Sequence, residues 1–117
     1  MEDRRLCERI EIPLRVIYKS SVDRERFRES ISRDVSGGGI SFYVNETRKP
    51  NDVLKVLFYP KDNGKPITSV CRAIWVKEEE ANSFLVGAKF IEIRNDHRFI
   101  EFICRQIIHS KANWQTV

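Results

Sequence analysis

The stretch IEIPLRVIYK, residues 10–19, alternates apolar and polar side chains with a period of two. Ile10, Ile12, Leu14, Val16 and Tyr18 fall on one face of an extended chain, and Glu11, Arg15 and Lys19 on the other, because successive strand residues point to opposite sides. Pro13 has no amide to give to a neighbour, so the strand is expected to be an edge or to be unpaired at that point. One face is buried and one is wet, the pattern of a half-buried strand.

The same period recurs on both sides of polar connections. After the turn SSVDR, residues 20–24, a weaker alternation carried by Phe27 and Ile31 runs to Asp34. Ile40, Phe42 and Val44 form a third strand, and Leu54, Val56 and Phe58 a fourth. The loop NETRKPND separates those two, and YPKDNGKP, with Asn63-Gly64 at its tip, reads as a hairpin connection. Strands five and six are expected over residues 67–76 and 84–93, joined by the acidic turn KEEEANS.

From Asp96 the period changes to that of a helix. Phe99, Ile100, Ile103 and Ile107 share a stripe that Phe102 widens, and Asn95 or Asp96 can cap the first turn. Six short strands and one amphipathic helix predict an all-β domain, a six-stranded antiparallel barrel with a C-terminal helix against it. Closure removes the sheet edges and buries one face of every strand. The expected division is an arm over 1–9, the barrel over 10–93, a helix over 96–110 and a tail over 111–117. At 117 residues there is room for one core.

Composition narrows the functional classes. The charge of +4 favours an anionic partner without identifying one. No apolar run approaches a membrane span, and MEDRRLCERI lacks the apolar core of a secretion signal, so a cytoplasmic protein is expected. Cys7, Cys71 and Cys104 are widely spaced, and only His97 and His109 could join them, so free thiols are expected and no metal. Ser36 has no evident His–Asp partners, and Glu78 and Glu80 sit in the expected turn, so no enzyme activity is expected. Trp75 shares the alternating face of Cys71 and Ala73 and is read as core, and both histidines are read as surface.

Two stretches remain for a binding site. DVSGGG, residues 34–39, sets three glycines before the third strand. Glycine lets a ligand approach the backbone closely, and successive amides in such a turn can cradle an anion. Alone, the motif reads first as a tight turn with local hydrogen bonds from Asp34 and Ser36. Arg5 and Arg9 precede the first strand, where a guanidinium fork can hold phosphate or the O6 and N7 edge of guanine. Alone, they read first as a solvated terminus screened by Glu2, Asp3 and Glu8.

Together, Arg5-x-x-x-Arg9 and Asp34-x-Ser36-x-x-Gly39 resemble the paired signature of the PilZ domain family, and CRAIWV and FLVGAKFIEI are similar to its later strands. The resemblance implies a six-stranded barrel that binds the bacterial second messenger cyclic di-GMP and needs no cofactor. It implies that Arg5 and Arg9 hold phosphates and guanine edges, that Asp34 accepts from guanine N–H groups, and that Ser36 reaches base or phosphate. Gly39, with Gly37 and Gly38, would keep the turn open to the nucleotide. Arg4 is a candidate to stack on a guanine, of a second ligand molecule if two bind.

The expectation is therefore a receptor and adaptor. Binding would order the N-terminal arm, and that face would engage an effector protein or a second copy of the chain. One alternative is a small basic barrel that binds single-stranded nucleic acid with Tyr18, Tyr43 and Tyr59 as platforms, although no strand concentrates basic and aromatic residues. The other is a PilZ-like interaction module without nucleotide binding.

Overall fold

The computed structural model describes residues 8–21, 26–46, 48–61, 64–94 and 96–115, with helical side chains described for residues 97–109. Among the described residues, seven strands precede one helix. They are β1 (Ile10–Glu11), β2 (Arg15–Ser20), β3 (Arg28–Val35), β4 (Gly39–Val44), β5 (Val53–Tyr59), β6 (Ile67–Glu80) and β7 (Ser83–Ile93), followed by α1 (Asp96–Gln115). All pairings are antiparallel, and the order β3-β2-β5-β6-β7-β4 returns to β3. This is the expected six-stranded closed barrel with a C-terminal helix.

The stretch that reads as one strand is two pieces of one strand. β1 pairs with the end of β3 and β2 with its beginning, and Pro13 lies in the break. Ser32 fills the gap in the ladder. Its Oγ accepts from the Leu14 amide at 2.8 Å and donates to the Ile12 carbonyl at 2.6 Å. The Ile12 amide still reaches the Arg33 carbonyl at 3.1 Å, and the Ser32 amide reaches Leu14 at 2.9 Å. The expected loss of pairing at Pro13 is thus confined to one position.

Val16, Tyr18, Ile40, Phe42, Leu54, Val56, Phe58, Ile67, Cys71, Val86 and Ala88 fill the barrel. The alternation gave these residues correctly in β2, β4 and β5. In β3 it did not, because Phe27 and Ile31 are exposed and the buried positions are Ser32 and Val35. A bulge between Ser32 and Asp34 moves the strand from one parity to the other.

The acidic stretch is strand rather than turn. β6 continues to Glu80, and the connection shrinks to Ala81 and Asn82, where Asn82 takes a left-handed φ of 63°. Asn is among the few residues that accept that conformation readily. At the other hairpin, Asn63 lies outside the described residues, and the Gly64 amide donates to the Lys61 carbonyl at 3.0 Å.

The helix packs Phe99, Phe102, Ile103 and Ile107 on the core, and Phe99 meets the rings of Phe58 and Phe90 edge-on at 5.9 and 5.2 Å. Ile100, expected on this stripe, is 45% exposed, since it falls to the side of the contact line that Phe99 and Phe102 set. The helix also runs past residue 110 to Gln115, because the end of the apolar stripe does not end the backbone hydrogen bonding. Asn95 and the Asp96 side chain lie outside the described residues.

Candidate functional site

The register of four strands builds a trough on the outer wall. Trp75 of β6 faces Gly87 of β7, Gly87 faces Ser41 of β4, and Ser41 faces Asp34 of β3. The row has two bulky ends and a floor of two small residues. Beside it, Arg72 faces Lys89 and Lys89 faces Gly39, so a cationic row runs parallel to the first. Arg9, Asp34, Ser36, Gly38, Gly39, Ser41, Trp75 and Lys89 all line this one concavity of about 170 Å³. That is below the roughly 300–1,000 Å³ of a pocket that engulfs its ligand. It suits part of a ligand that otherwise lies along the wall.

Trp75 reaches the trough through a backbone irregularity. The pairing of β6 with β7 shifts between Ala73 and Trp75, so Ala73 points into the barrel and Val76, not Trp75, resumes the inward face. The expectation that Trp75 belongs to the core is corrected here: it is half-buried on the outer wall. Only glycine fits beneath its ring. A Cβ on Gly87 would lie 2.1 Å from the indole Cε2 and 2.4 Å from Nε1.

At the other end Arg9 and Asp34 approach to 3.7 Å, with the arginine side chain 64% exposed and the carboxylate 16%. An ion pair with so exposed a member contributes at most about 1 kcal/mol. Arg9 is therefore free to turn toward a ligand at little cost, while Asp34 is held by β3.

The glycine turn is organised by Ser36. Its amide donates to the Gly39 carbonyl at 2.8 Å, and its Oγ accepts from the amides of Gly38 and Gly39, both at 3.2 Å. Those two amides are used within the turn, so the anion cradle expected of successive N–H groups is not formed by them. The Gly38 carbonyl accepts from the Phe90 amide at 2.9 Å, which ties the turn to β7. No described glycine has a positive φ. Gly39 is required by close approach, since a Cβ there would meet the Ala88 carbonyl oxygen at 2.3 Å.

Of the expected site residues, Arg9, Asp34, Ser36, Gly38 and Gly39 come together, and Gly37 lies on the neighbouring groove with Phe90 and Phe99. Arg4 and Arg5 lie outside the described residues. Ser41, Trp75, Gly87 and Lys89 were not anticipated. A bulge has no signature in CRAIWV, where Trp75 and Val76 are both apolar and either could face inward. Among the tyrosines, Tyr18 is buried against Phe42, and Tyr59 lies under the Arg15 guanidinium at 4.7 Å. Tyr43 borders one groove with Tyr18 and Arg15. No helix of the described residues is long and apolar enough to cross a membrane.

Comparison with known proteins adds three findings. The sequence profile of the PilZ domain matches residues 3–105. Among solved structures, the Bacillus subtilis inhibitor of motility (MotI/DgrA) superposes with a TM-score of 0.68 at 14% identity, over 90% of this chain and 50% of the other. The chain thus spans half of that protein, and the likeness concerns the fold. No curated protein matches the sequence.

Proposed function

The chain belongs to the PilZ domain family, and from that membership we propose that the trough binds cyclic di-GMP and that the protein is a receptor and adaptor rather than an enzyme. The observation that supports this most is the meeting of Arg9, Asp34 and Ser36 in one concavity, although they lie up to 27 positions apart in sequence. In this reading the Asp34 carboxylate accepts from the N–H groups of a guanine, and the Trp75 indole closes the opposite end as a stacking wall. Arg9 and Lys89 face the phosphodiesters. Arg5 joins them from the preceding segment, and Arg4 stacks on a second nucleotide where two bind.

Hydrogen bonds to charged groups contribute roughly 1.5–3 kcal/mol each, and stacking on an aromatic ring roughly 1–3 kcal/mol. Micromolar affinity is about −8 kcal/mol, so after ordering costs it takes more than two such bonds and one stack, as two-pronged arginine contacts would supply. Binding draws the segment before Arg9 onto the wall, and the face so formed engages an effector protein or a second copy of the chain.

Isothermal titration calorimetry with cyclic di-GMP tests the reading. Wild-type protein is expected to bind saturably and Arg9→Ala to lose most of the affinity, whereas absence of heat from the wild type would reject it. Arg4→Leu is expected to lower the number of nucleotides per chain if two bind. Hydrogen exchange should slow over residues 1–12 on addition of ligand; unchanged exchange there would remove the adaptor mechanism while leaving the receptor.

A further inference from the structure

Three serines are only 1% exposed: Ser32, Ser41 and Ser69. Two have their hydroxyls fully employed. Ser32 bridges the break at Pro13, and Ser69 Oγ donates to the Val56 carbonyl at 2.7 Å. Ser41 Oγ, buried as deeply, has no hydrogen-bond partner among the described residues. A buried hydroxyl without a partner costs roughly 1–3 kcal/mol relative to one that is bonded. It is also in an unusual place. Its neighbours along β4, Ile40 and Phe42, point into the core, so Ser41 points to the outer wall, where it lines the trough.

The register gives the hydroxyl a role. Ser41 stands directly across from Asp34 on one side and from Gly87, under the indole, on the other. An acceptor and a donor therefore sit side by side on one row. Guanine presents the complementary pair on its Watson–Crick edge: N1–H and the N2 amino group donate, and the adjacent O6 accepts. Adenine presents an amino donor where guanine has O6. A hydroxyl can turn to donate to O6 or to accept from an amino group, but adenine N1 has no proton for the adjacent carboxylate, so the pair of groups is satisfied together by guanine alone.

We infer that Ser41 is a specificity-determining residue of the trough, its Oγ–H donating to O6 of the guanine whose N–H groups Asp34 accepts. The inference rests on the cyclic di-GMP reading and extends it to a residue outside the paired signature. A base that lies between the indole and the Asp34 carboxylate meets Ser41 edge-on. The unmet hydrogen bond in the free protein is then made on binding, so the hydroxyl gives up no earlier bond when the contact forms.

The experiment compares wild type, Ser41→Ala and Ser41→Thr by calorimetry against cyclic di-GMP and cyclic di-AMP, with thermal unfolding of each protein without ligand. Ser41→Ala should lose about tenfold in affinity for cyclic di-GMP and change little toward cyclic di-AMP, so that its purine preference narrows. Its unliganded melting temperature should be equal to or above that of the wild type, since an orphan hydroxyl has been removed. Ser41→Thr, which keeps the hydroxyl, should retain the preference.

Equal losses for both nucleotides, or a preference unchanged in Ser41→Ala, would overturn the role. A lower unliganded melting temperature of Ser41→Ala would also overturn it, because the hydroxyl would then serve the fold. Failure of the wild type to bind cyclic di-GMP would reject the underlying reading itself, a result distinct from selective failure of the Ser41 prediction.

Discussion

The hydroxyl of Ser32 stands where the barrel wall would otherwise be open. Proline at position 13 removes a donor from the strand, and the flanking amide and carbonyl would be left facing each other across a gap. One side chain from β3 restores both bonds. Ser32→Ala leaves the Leu14 amide and the Ile12 carbonyl unbonded at a position shielded from water. The variant should lose roughly 1–3 kcal/mol of stability. Urea titration checks this directly, and a midpoint equal to that of the wild type would show that the gap closes in some other way. Neither serine nor proline announces the partnership in sequence, since they lie nineteen positions apart and meet only through the register of β1 and β2 on β3.

Among the elements, β6 and β7 carry the features that make the trough. A single shift of register after Ala73 turns Trp75 outward, and a glycine opposite lets its ring lie flat on the wall. Gly87→Ala should therefore push the indole off the strand. In a Trp114→Phe background, so that Trp75 alone reports, the emission maximum should move to the red as the ring meets water. Affinity for cyclic di-GMP should fall by about tenfold through loss of the stacking wall. An unmoved spectrum with unchanged affinity would show that β7 yields instead of the ring.

The same element shows what the residue pattern can and cannot convey. Alternation through Leu54, Val56 and Phe58 placed β5 without ambiguity, because one parity is apolar and the other mixed. In CRAIWVKEEE the apolar residues occupy both parities, so the bulge is decided by packing against β7 rather than by the strand's own pattern. Of the two sequence motifs, Arg9, Asp34, Ser36, Gly38 and Gly39 line the trough, and Arg5 lies outside the described residues. Ser41, Trp75, Gly87 and Lys89 are residues of the trough whose meaning lies only in their cross-strand neighbours.

On the scale of the whole molecule, two groups in the core set the response to alkali. Burial, with Glu46 beside it and bonded to its hydroxyl, pushes the Tyr18 phenol from 10.0 up to about 12. Burial alone pushes the Cys71 thiol from 9.0 up to about 12, against a smaller opposing hydrogen bond from Ser69. Both are acids that hold their proton longer in the folded chain than in the unfolded one. Their contribution is complete below about pH 9 and is lost as the pH rises toward 12. Urea midpoints measured from pH 8 to 12 should fall across that window. Tyr18→Phe should flatten the part above pH 10, and an unaltered slope there would assign the alkaline loss elsewhere.

The barrel closes where β4, from the first half of the chain, pairs with β7 from the second, and the trough runs across that seam from Trp75 to Asp34. Its two ends thus belong to β6 and β3, which β4 and β7 join only when they have paired. A partly folded chain, however complete its β3–β4 hairpin, lacks the assembled trough. Any ligand that spans the seam would act as a clasp: it would slow the parting of β4 from β7 and lengthen the life of the native chain against proteases.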